Sequence, residues 1–346
     1  MNRFSETLIE WYGANGRDLP WRKTSDPYRI WISEIVLQQT RVAQGMDYFR
    51  RFMERFPDVT SLAEAPEDEV MRCWQGLGYY SRARNLHEAA RSMNGRFPDT
   101  YQGVRALKGV GDYTAAAICS FAYQMPYAVV DGNVYRVLAR YWGIDTPIDS
   151  TEGKKLFARL AQELLDPRRP ALHNQAIMDF GALQCTPQSP ACRECPLADS
   201  CQALASGQVD RLPVKRHKTQ VTERFFYYIY VRAGACTYLH KRQGADIWQN
   251  LYELPLLESD RPLAEEEFLQ WPRLHALFPS GCLPELHRCC ARMKHVLSHQ
   301  ILYADFYEVQ LPEEAEPFAG CLKVRREELE QYAIPRLIEA FLEKYA

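Results

Sequence analysis

The chain has 346 residues, of which 47% are hydrophobic and 25% charged, with a formal net charge of −2. This length suffices for two domains of ordinary size, and the balance of apolar and charged residues is that of a globular protein. No apolar run reaches the roughly 18 residues of a membrane span, and the first residues lack a basic-then-apolar secretion pattern, so we expect a cytoplasmic protein without membrane contact.

The net charge does not favour nucleic acid, but the charge is distributed unevenly. Residues 1–220 contain 28 Lys and Arg against 25 Asp and Glu, which leaves 14 against 19 for the remainder. A mildly basic first part can present one concentrated surface to DNA, although this signal is weak.

The first two-thirds of the chain is predicted to be helical, with no alternating strand pattern before about residue 220. Apolar residues recur there at three- and four-residue spacing, and Gly and Pro separate the segments. Residues 205–220 are polar and basic and are predicted as a linker. The segments predicted as helices are Asp26–Arg41, Pro66–Gln75, Ser81–Asn94 and Asn133–Tyr141.

The pattern changes after the linker, so we predict one domain over 1–220 and a second, α+β domain over 221–346. Aromatic and β-branched residues in Arg224–Val231, a turn at Ala233-Gly234 and Cys236–His240 predict a β-hairpin. Strands at Arg292–Leu297 and Gln300–Gln310 are expected to bracket the turn at 298–299, and residues 322–346 to end on a helix.

Glu34 is the first candidate for chemistry. On a helix its neighbours on the same face are Ile30, Trp31, Leu37 and Gln38, which is a largely apolar stripe. Raising a glutamate pKa from about 4.3 to about 6 costs roughly 2 kcal/mol, and enzymes use such an acid to protonate a leaving group. The alternative is a core carboxyl that is hydrogen-bonded to a neighbouring helix.

Residues 76–84, with the sequence Gly-Leu-Gly-Tyr-Tyr-Ser-Arg-Ala-Arg, mix glycines, aromatic rings and arginines. Such a loop suits insertion into a duplex, with rings stacking on bases and guanidinium groups on phosphates. The alternative is an aromatic loop that packs into the core.

Gly109-Val110-Gly111 precedes the apolar helix predicted at 115–122. Two glycines around a valine make a tight turn, and the free N–H groups at the helix start can hold a phosphate oxygen. The flanking Leu107 and Thr114 strengthen this interpretation, whose alternative is an ordinary turn between two helices.

Asp131 follows an apolar run and precedes Gly132-Asn133-Val134, where a helix begins. Aspartate is a preferred N-cap, so capping is the simpler explanation. The two roles are compatible, because a capping carboxylate can also face a cleft.

Four of the eleven cysteines, Cys185, Cys192, Cys195 and Cys201, lie in one short stretch with the spacing C-x6-C-x2-C-x5-C. In a chain without a secretion signal this clustering indicates metal rather than disulfides. Four thiolates in one loop can hold a [4Fe–4S] cluster, whereas structural zinc usually uses two C-x2-C pairs. Zinc and four unconnected cysteines are the alternatives.

Together these motifs resemble the endonuclease III superfamily and, within it, the MutY-type adenine DNA glycosylases. The resemblance covers nearly the whole chain and depends on the order and spacing of its motifs. It implies an all-α helix-hairpin-helix glycosylase domain with a [4Fe–4S] loop at 185–201, plus a Nudix-like α+β domain. The motifs that carry it are Ser33–Thr40, Gly76–Asn85, Gly109–Gly111, Val130–Val134 and the four cysteines.

The resemblance also implies a substrate and roles for individual residues. The substrate is double-stranded DNA in which adenine lies opposite 8-oxoguanine or guanine, with the adenine flipped out. Glu34 matches the general acid that protonates adenine, Asp131 the carboxylate that stabilises the sugar cation, and Tyr113 and Asn133 support them. The residues expected to contact DNA are Gln38, Gln39, Thr40, Leu77, Tyr79, Arg82, Gly109, Gly111, Ser298 and His299.

Position 113 separates the branches of the superfamily. The lyase branch carries a lysine there, which attacks the sugar through a Schiff base, and the phenol of Tyr113 cannot form that imine. The resemblance therefore implies hydrolysis of the glycosidic bond without cleavage of the DNA backbone.

The second domain is expected to recognise rather than hydrolyse. A working Nudix hydrolase needs a Glu-rich helix with an Arg-Glu pair, and residues 256–260, Leu-Leu-Glu-Ser-Asp, contain no such pair. The turn with Ser298 and His299 matches the loop that contacts 8-oxoguanine, although Leu297 stands where many relatives have Phe.

Three other functions are weighed against this one. An endonuclease III-like lyase is opposed by Tyr113 and the extra domain, and a non-catalytic iron–sulfur DNA-binding protein has no need of both Glu34 and Asp131. A Nudix-type nucleotide hydrolase lacks its metal-binding helix. We expect the protein to act as a monomer.

Overall fold

The computed structural model describes residues 3–216, 220–278, 284–315 and 318–345. The chain divides into two compact units, one formed by Met1–Glu64 with Asn85–Lys218 and the other by Ala65–Arg84 with Thr219–Ala346. A stretch from the first half of the chain therefore belongs to the unit that contains the C-terminal half.

Helices dominate the first unit, and several shorter ones belong to the second. None of the helices in the described ranges is long and apolar enough to cross a membrane. They are α1 (Arg3–Asn15), α2 (Pro27–Val36), α3 (Val42–Arg55), α4 (Val59–Glu64), α5 (Glu67–Cys73), α6 (Ser81–Ser92), α7 (Tyr101–Arg105), α8 (Asp112–Tyr123), α9 (Gly132–Trp142), α10 (Thr151–Leu164), α11 (Pro170–Asp179), α12 (Gln202–Ala205), α13 (Glu265–Leu269), α14 (Pro272–His275) and α15 (Arg336–Tyr345).

Helix α2 starts as expected but ends earlier than the predicted Arg41. Asp26 caps its first turn by accepting a hydrogen bond from Tyr28 N, and Pro27 stands at the first helical position. The helix ends at Val36 because the chain turns, with Gln39 in a left-handed conformation at φ 55°. Hydrophobic periodicity continues through this turn, so the sequence pattern did not show the break.

The core of the first unit joins helices from distant parts of the chain. One buried cluster contains Phe4 and Leu8 of α1, Phe157 of α10 and Phe180, each at most 3% exposed. Residues 209–216, predicted as part of the linker, are attached to this unit, because Val214 O accepts a hydrogen bond from Ile148 N.

The second unit is built on a mixed sheet, which confirms the predicted α+β class. The order is β3-β2-β1-β6-β5, with β4 added on β1 and β7 on β2. Both predicted strand pairs are present and antiparallel. The strands are β1 (Thr222–Ala233), β2 (Cys236–Lys241), β3 (Tyr252–Glu253), β4 (Leu256–Ser259), β5 (Leu286–Val296), β6 (Gln300–Leu311) and β7 (Cys321–Arg325).

Strand β5 begins at Leu286 rather than at the predicted Arg292. Its pairing with β6 is interrupted by register shifts between Arg288 and Met293, and Arg292 adopts a φ of 47°. Such a bulge adds unpaired residues and breaks the alternation on which strand prediction depends. The strand therefore extends further than its alternating part.

Strand β1 is buried on both faces, as a central strand is. Tyr227 stacks on Phe268 of α13 on one face, while Tyr230 on the other contacts Phe341 of α15 edge to face. β1 also pairs in parallel with β6 along its whole length, from Thr222 opposite Gln300 onward, which the sequence pattern did not predict.

Candidate active site and DNA-contacting residues

Glu34 is buried in the first unit and lies on α2 with 8% of its surface exposed. Tyr113 Oη donates a hydrogen bond of 2.9 Å to Glu34 Oε2. Burial raises the pKa of Glu34 to about 7; the Tyr113 hydrogen bond opposes this rise, and the negative charge of Asp131 adds to it. The carboxyl can therefore carry a proton near neutral pH, as a general acid requires.

Asp131 caps helix α9, which agrees with the simpler of its two interpretations. Its Oδ1 accepts a 2.8 Å bond from Val134 N, and its Oδ2 accepts one of 2.8 Å from Asn133 Nδ2. Burial raises the pKa of this carboxyl, while the bonds from Val134 and Asn133 oppose the rise. Its charge acts on both Glu34 and Tyr113, so the cap and the acid belong to one electrostatic site.

Tyr113 and Asn133 each support one of the two carboxyl groups. Tyr113 lies at the start of α8, and burial with the charges of Glu34 and Asp131 raises the pKa of its phenol. Arg136 Nη2 donates a 2.8 Å bond to Asn133 Oδ1, which orients the amide that contacts Asp131. The structure thus brings together all four residues that were predicted as catalytic.

Sequence reasoning missed the ion cluster beside Glu34. Asp179 at the end of α11 is fully buried and accepts bonds from Arg22 Nη1 at 2.6 Å and Nη2 at 2.8 Å, and also from Arg17. These bonds hold the pKa of Asp179 down, to about 2, against the effect of burial. The Arg22 charge in turn lowers the pKa of Glu34. No local motif marks this pair, because its members are 157 residues apart.

The predicted hairpin turn joins α7 to α8. Gly109 has a φ of 75° and lies against the Asn85 side chain, 2.8 Å from where a Cβ would stand. Gly111 is the N-cap of α8, and a Cβ at this position would meet no atom within 4 Å. The first-turn amides of a helix lack helical acceptors, and this is the kind of backbone group that can bind a phosphate.

The turn after α2 carries three predicted DNA contacts. Gln39 is exposed and has a left-handed backbone conformation. Gln38 Nε2 reaches Thr114 Oγ1 at 3.4 Å, and Thr40 Oγ1 donates to Gln38 O at 3.3 Å. The turn is thus tied to the start of α8.

In the second unit, the residues in and beside loop 76–80 that were predicted to contact DNA differ in their exposure. Tyr79 is 41% exposed and left-handed at φ 47°, whereas Leu77 is 6% and Arg82 8% exposed. Arg82 donates to Gly78 O at 3.1 Å, its guanidinium lies 5.2 Å from the Trp74 ring centre, and burial lowers its pKa to about 10. In this structure Arg82 supports the loop, and Tyr79 is the residue that the loop presents to solvent.

The tip between β5 and β6 exposes Ser298 and His299, as predicted. Ser298 Oγ is in hydrogen-bond contact with Tyr79 Oη, and both residues line a cavity with Trp248. Val296, which sequence reasoning did not single out, is 64% exposed and lines the same cavity. A polar tip beside an apolar surface suits the edge and face of a nucleobase.

The four clustered cysteines are brought together as predicted. They line one small cavity, and each is a free thiol of intermediate exposure. Arg140 donates to Cys185 Sγ at 3.4 Å, which suits a sulfur that carries negative charge. No group of three or more His, Cys, Asp or Glu side chains in the described ranges is arranged to hold a single metal ion, whereas in a [4Fe–4S] cluster each thiolate binds a different iron.

Helix α9 connects this cysteine loop to Asp131. Arg136 donates to Cys185 O at 2.7 Å and to Gly181 O at 2.5 Å, one helical turn after the Asp131 cap. Arg140, one turn further, donates to Thr186 O at 2.7 Å. These hydrogen bonds attach the cysteine loop to α9, the helix that Asp131 caps.

Residues 32–167 match a family described as "HhH-GPD superfamily base excision DNA repair protein", and residues 226–344 match the NUDIX domain. The chain is 31% identical to the adenine DNA glycosylase of Buchnera aphidicola subsp. Acyrthosiphon pisum over 99% of this chain and 97% of that protein. It is 42% identical to the human adenine DNA glycosylase over 61% of this chain and 42% of that protein. A solved structure of a thermostable thymine-DNA glycosylase is similar with a TM-score of 0.55 and 30% identity, covering 59% of this chain and 95% of that one. The predicted fold class is thereby confirmed.

Proposed function

The chain belongs to the adenine DNA glycosylases, which act in base excision repair, and from this we propose that Glu34 and Asp131 carry out the removal of adenine. The observation that carries the proposal is the buried Glu34 carboxyl, whose pKa is raised to about 7 beside the carboxylate of Asp131. Asp131 accepts hydrogen bonds from Val134 N and Asn133 Nδ2, which favour its charged form, so the two carboxyl groups can divide the roles of acid and stabiliser.

In the proposed reaction Glu34 donates its proton to a ring nitrogen of a flipped-out adenine, and the bond from the sugar to the base then breaks. The positive charge that develops on the sugar is stabilised by the carboxylate of Asp131, which acts on the transition state rather than on the substrate. Water adds to the sugar and returns a proton to Glu34, so the products are adenine and an abasic site.

Tyr113 supports a hydrolytic reaction without strand cleavage. Its phenol is already engaged as the donor to Glu34 Oε2 and has no amine with which to form an imine. A lysine at this position would belong to the lyase reaction.

We expect a duplex with adenine opposite 8-oxoguanine to lose adenine while both strands stay intact until alkali is added. The measurement is strand length on a denaturing gel before and after alkali, together with a borohydride trap for a covalent complex. Tyr113→Lys tests whether an amine at this position creates lyase activity. Trapping of the parent protein at the rate of base loss would contradict the hydrolytic assignment.

We also propose that Cys185, Cys192, Cys195 and Cys201 hold a [4Fe–4S] cluster, the cofactor typical of this family. The proposal is supported by the single cavity that they line and by the Arg140 guanidinium beside Cys185. Because Arg136 and Arg140 tie the loop to α9, a bound cluster would stabilise the helix that presents Asp131.

The purified protein is expected to be brown and to contain about four irons, as a cube with four thiolate ligands requires. Cys195→Ser should lose iron, while Cys236→Ser, at a half-buried cysteine on β2, should keep it. Metal analysis and the visible absorption spectrum check this. One zinc per chain and no visible thiolate–iron band would exclude the cluster.

We further propose that the tip with Ser298 and His299 recognises the base opposite adenine. The adenine to be removed is chemically normal, so selection has to use its partner base. 8-Oxoguanine differs from guanine by a carbonyl at C8 and an N7–H in place of an acceptor, and a serine hydroxyl can donate and accept. Both side chains are exposed at the tip, where a base can reach them.

We expect the double substitution of Ser298 and His299 by Ala to reduce the ratio of adenine-release rates opposite 8-oxoguanine and guanine by about 5- to 150-fold. This range corresponds to the roughly 1–3 kcal/mol that one good set of base contacts contributes to discrimination. Adenine release at saturating enzyme should change less. Single-turnover rates with the two duplexes measure both effects, and Ser259→Ala on β4 is the control. An unchanged preference would refute the recognition role.

A further inference from the structure

Residues 65–84 are held by the C-terminal half of the chain. They belong to the same compact unit as β1–β7, although at least 130 residues separate the two stretches in sequence. This segment carries loop 76–80 with the exposed Tyr79. The contacts that hold it lie on both sides of that loop.

Before the loop, an ion pair joins α5 to the sheet. Lys241 Nζ of β2 lies 2.5 Å from Asp68 Oδ1, and Tyr252 Oη of β3 donates a 3.0 Å bond to Asp68 Oδ2. The Lys241 ammonium also lies 5.0 Å from the centre of the Tyr252 ring. Asp68 therefore has two partners that also contact each other.

Next to the loop, Gln75 bridges to the C-terminal end of the chain. Its Nε2 donates to Glu339 Oε1 at 3.1 Å, and its Oε1 accepts from Ile334 N at 3.3 Å. After the loop, Arg84 Nη1 donates a 2.7 Å bond to Gln249 O. Both ends of the loop are thus fixed to the body that carries Ser298.

The tip of the loop is constrained as well. Tyr79 adopts a left-handed backbone, which costs a non-glycine residue free energy and persists only where its surroundings hold it. Its phenol contacts Ser298 Oγ. The position of Tyr79 relative to Ser298 therefore depends on the contacts at 68, 75 and 84.

We propose that Lys241, Asp68 and Tyr252 form a positioning cluster that keeps the Tyr79 phenol in contact with Ser298 Oγ. Insertion of loop 76–80 into DNA and recognition of the base opposite adenine then occur together. The proposal rests on the recognition role proposed for Ser298 and His299. These three residues act through the loop and have no part in the chemistry at Glu34.

The test is Lys241→Glu in the full-length protein, which places like charges at 68 and 241. We expect the ratio of adenine-release rates opposite 8-oxoguanine and guanine to fall about three- to tenfold, since a partly exposed ion pair is replaced by a repulsion. Backbone hydrogen exchange over 65–84 should speed up. Lys323→Glu on β7 makes the same charge change in the same sheet and should alter neither quantity.

Using the rate ratio separates positioning from a direct phosphate contact. A lost phosphate contact would weaken binding to both duplexes alike and leave the ratio unchanged. Adding Asp68→Arg to Lys241→Glu restores opposite charges, and we expect it to recover most of the lost ratio together with slow exchange. If the double variant recovers neither the rate ratio nor slow exchange, the ion pair between positions 68 and 241 does not position the loop.

An unchanged ratio in Lys241→Glu, with or without faster exchange, would overturn the positioning role. If the Ser298 and His299 double variant still narrows the preference in that case, only this inference fails. If that double variant also leaves the preference unchanged, the proposed recognition role itself is wrong.

Discussion

Glu34→Gln is expected to slow adenine release by about 10² to 10⁴-fold, the usual contribution of a general acid, with the fold and DNA affinity retained. The amide has nearly the size of the carboxyl and can still accept the hydrogen bond from Tyr113 Oη, but it has no acidic proton to give. Single-turnover base release measures the loss, and duplex binding and the unfolding midpoint measure what is retained.

Glu10→Gln is the matched control, because Glu10 is exposed on α1 and undergoes the same chemical change. Its rate should equal that of the parent. A Glu34→Gln protein that releases adenine within tenfold of the parent rate would remove Glu34 from the mechanism.

The pH dependence supplies a second measurement on the same residue. Because the pKa of Glu34 is raised to about 7, its protonated fraction, and with it the rate, should fall as the pH rises through that value. Tyr113→Phe removes a hydrogen bond that lowers the pKa of Glu34. The pH at which the rate of adenine release falls should therefore be higher in this variant. If the pH at which the rate falls is the same in Tyr113→Phe as in the parent, a group other than Glu34 controls the pH dependence.

Asp131→Asn is expected to slow adenine release by about 10² to 10³-fold, the range seen when a single electrostatic stabiliser is lost. The amide oxygen can still accept from Val134 N, and asparagine is a good N-cap, so α9 should keep its start. The substitution removes the negative charge proposed to stabilise the sugar cation, and with it the hydrogen bond that Asp131 Oδ2 accepts from Asn133 Nδ2. Single-turnover rates and the unfolding midpoint distinguish this from a general loss of structure.

Asp26→Asn provides the control, since Asp26 caps α2 by the same kind of bond, from Tyr28 N at 2.9 Å. The falling limb of the pH profile should also move to lower pH in Asp131→Asn, because the charge of Asp131 raises the pKa of Glu34. A folded Asp131→Asn protein with less than a tenfold loss would assign the stabilisation of the cation to another group.

The proposed positioning cluster changes what deletion of residues 221–346 would measure. Deleting residues 221–346 would remove Ser298 and His299 but also the partners of Asp68, Gln75 and Arg84. A truncated protein would therefore combine loss of recognition with displacement of loop 76–80. Point variants at 241, 298 and 299 separate the two effects.

Local patterns in the sequence were sufficient to single out Glu34, Asp131 and the four cysteines, whereas the roles proposed for them, and the choice of Tyr113 and Asn133, came from the family resemblance. The four cysteines have a characteristic spacing, Glu34 interrupts an apolar stripe, and Asp131 stands where a helix must begin. Each of these signals lies within a few residues, because metal spacing, helix periodicity and capping are local properties of the chain. The helical and α+β parts were predictable for the same reason.

Contacts between distant residues appeared only in the tertiary structure. Asp179 meets Arg22 across 157 residues, and Asp68 meets Lys241 across 173. The early end of α2 and the bulge in β5 depend on left-handed backbone at Gln39 and Arg292, which side-chain periodicity does not report. Such features arise when packed elements select one partner or one backbone conformation among several that the local sequence permits. The pKa of Glu34 and the contact between Tyr79 Oη and Ser298 Oγ therefore depend on tertiary packing.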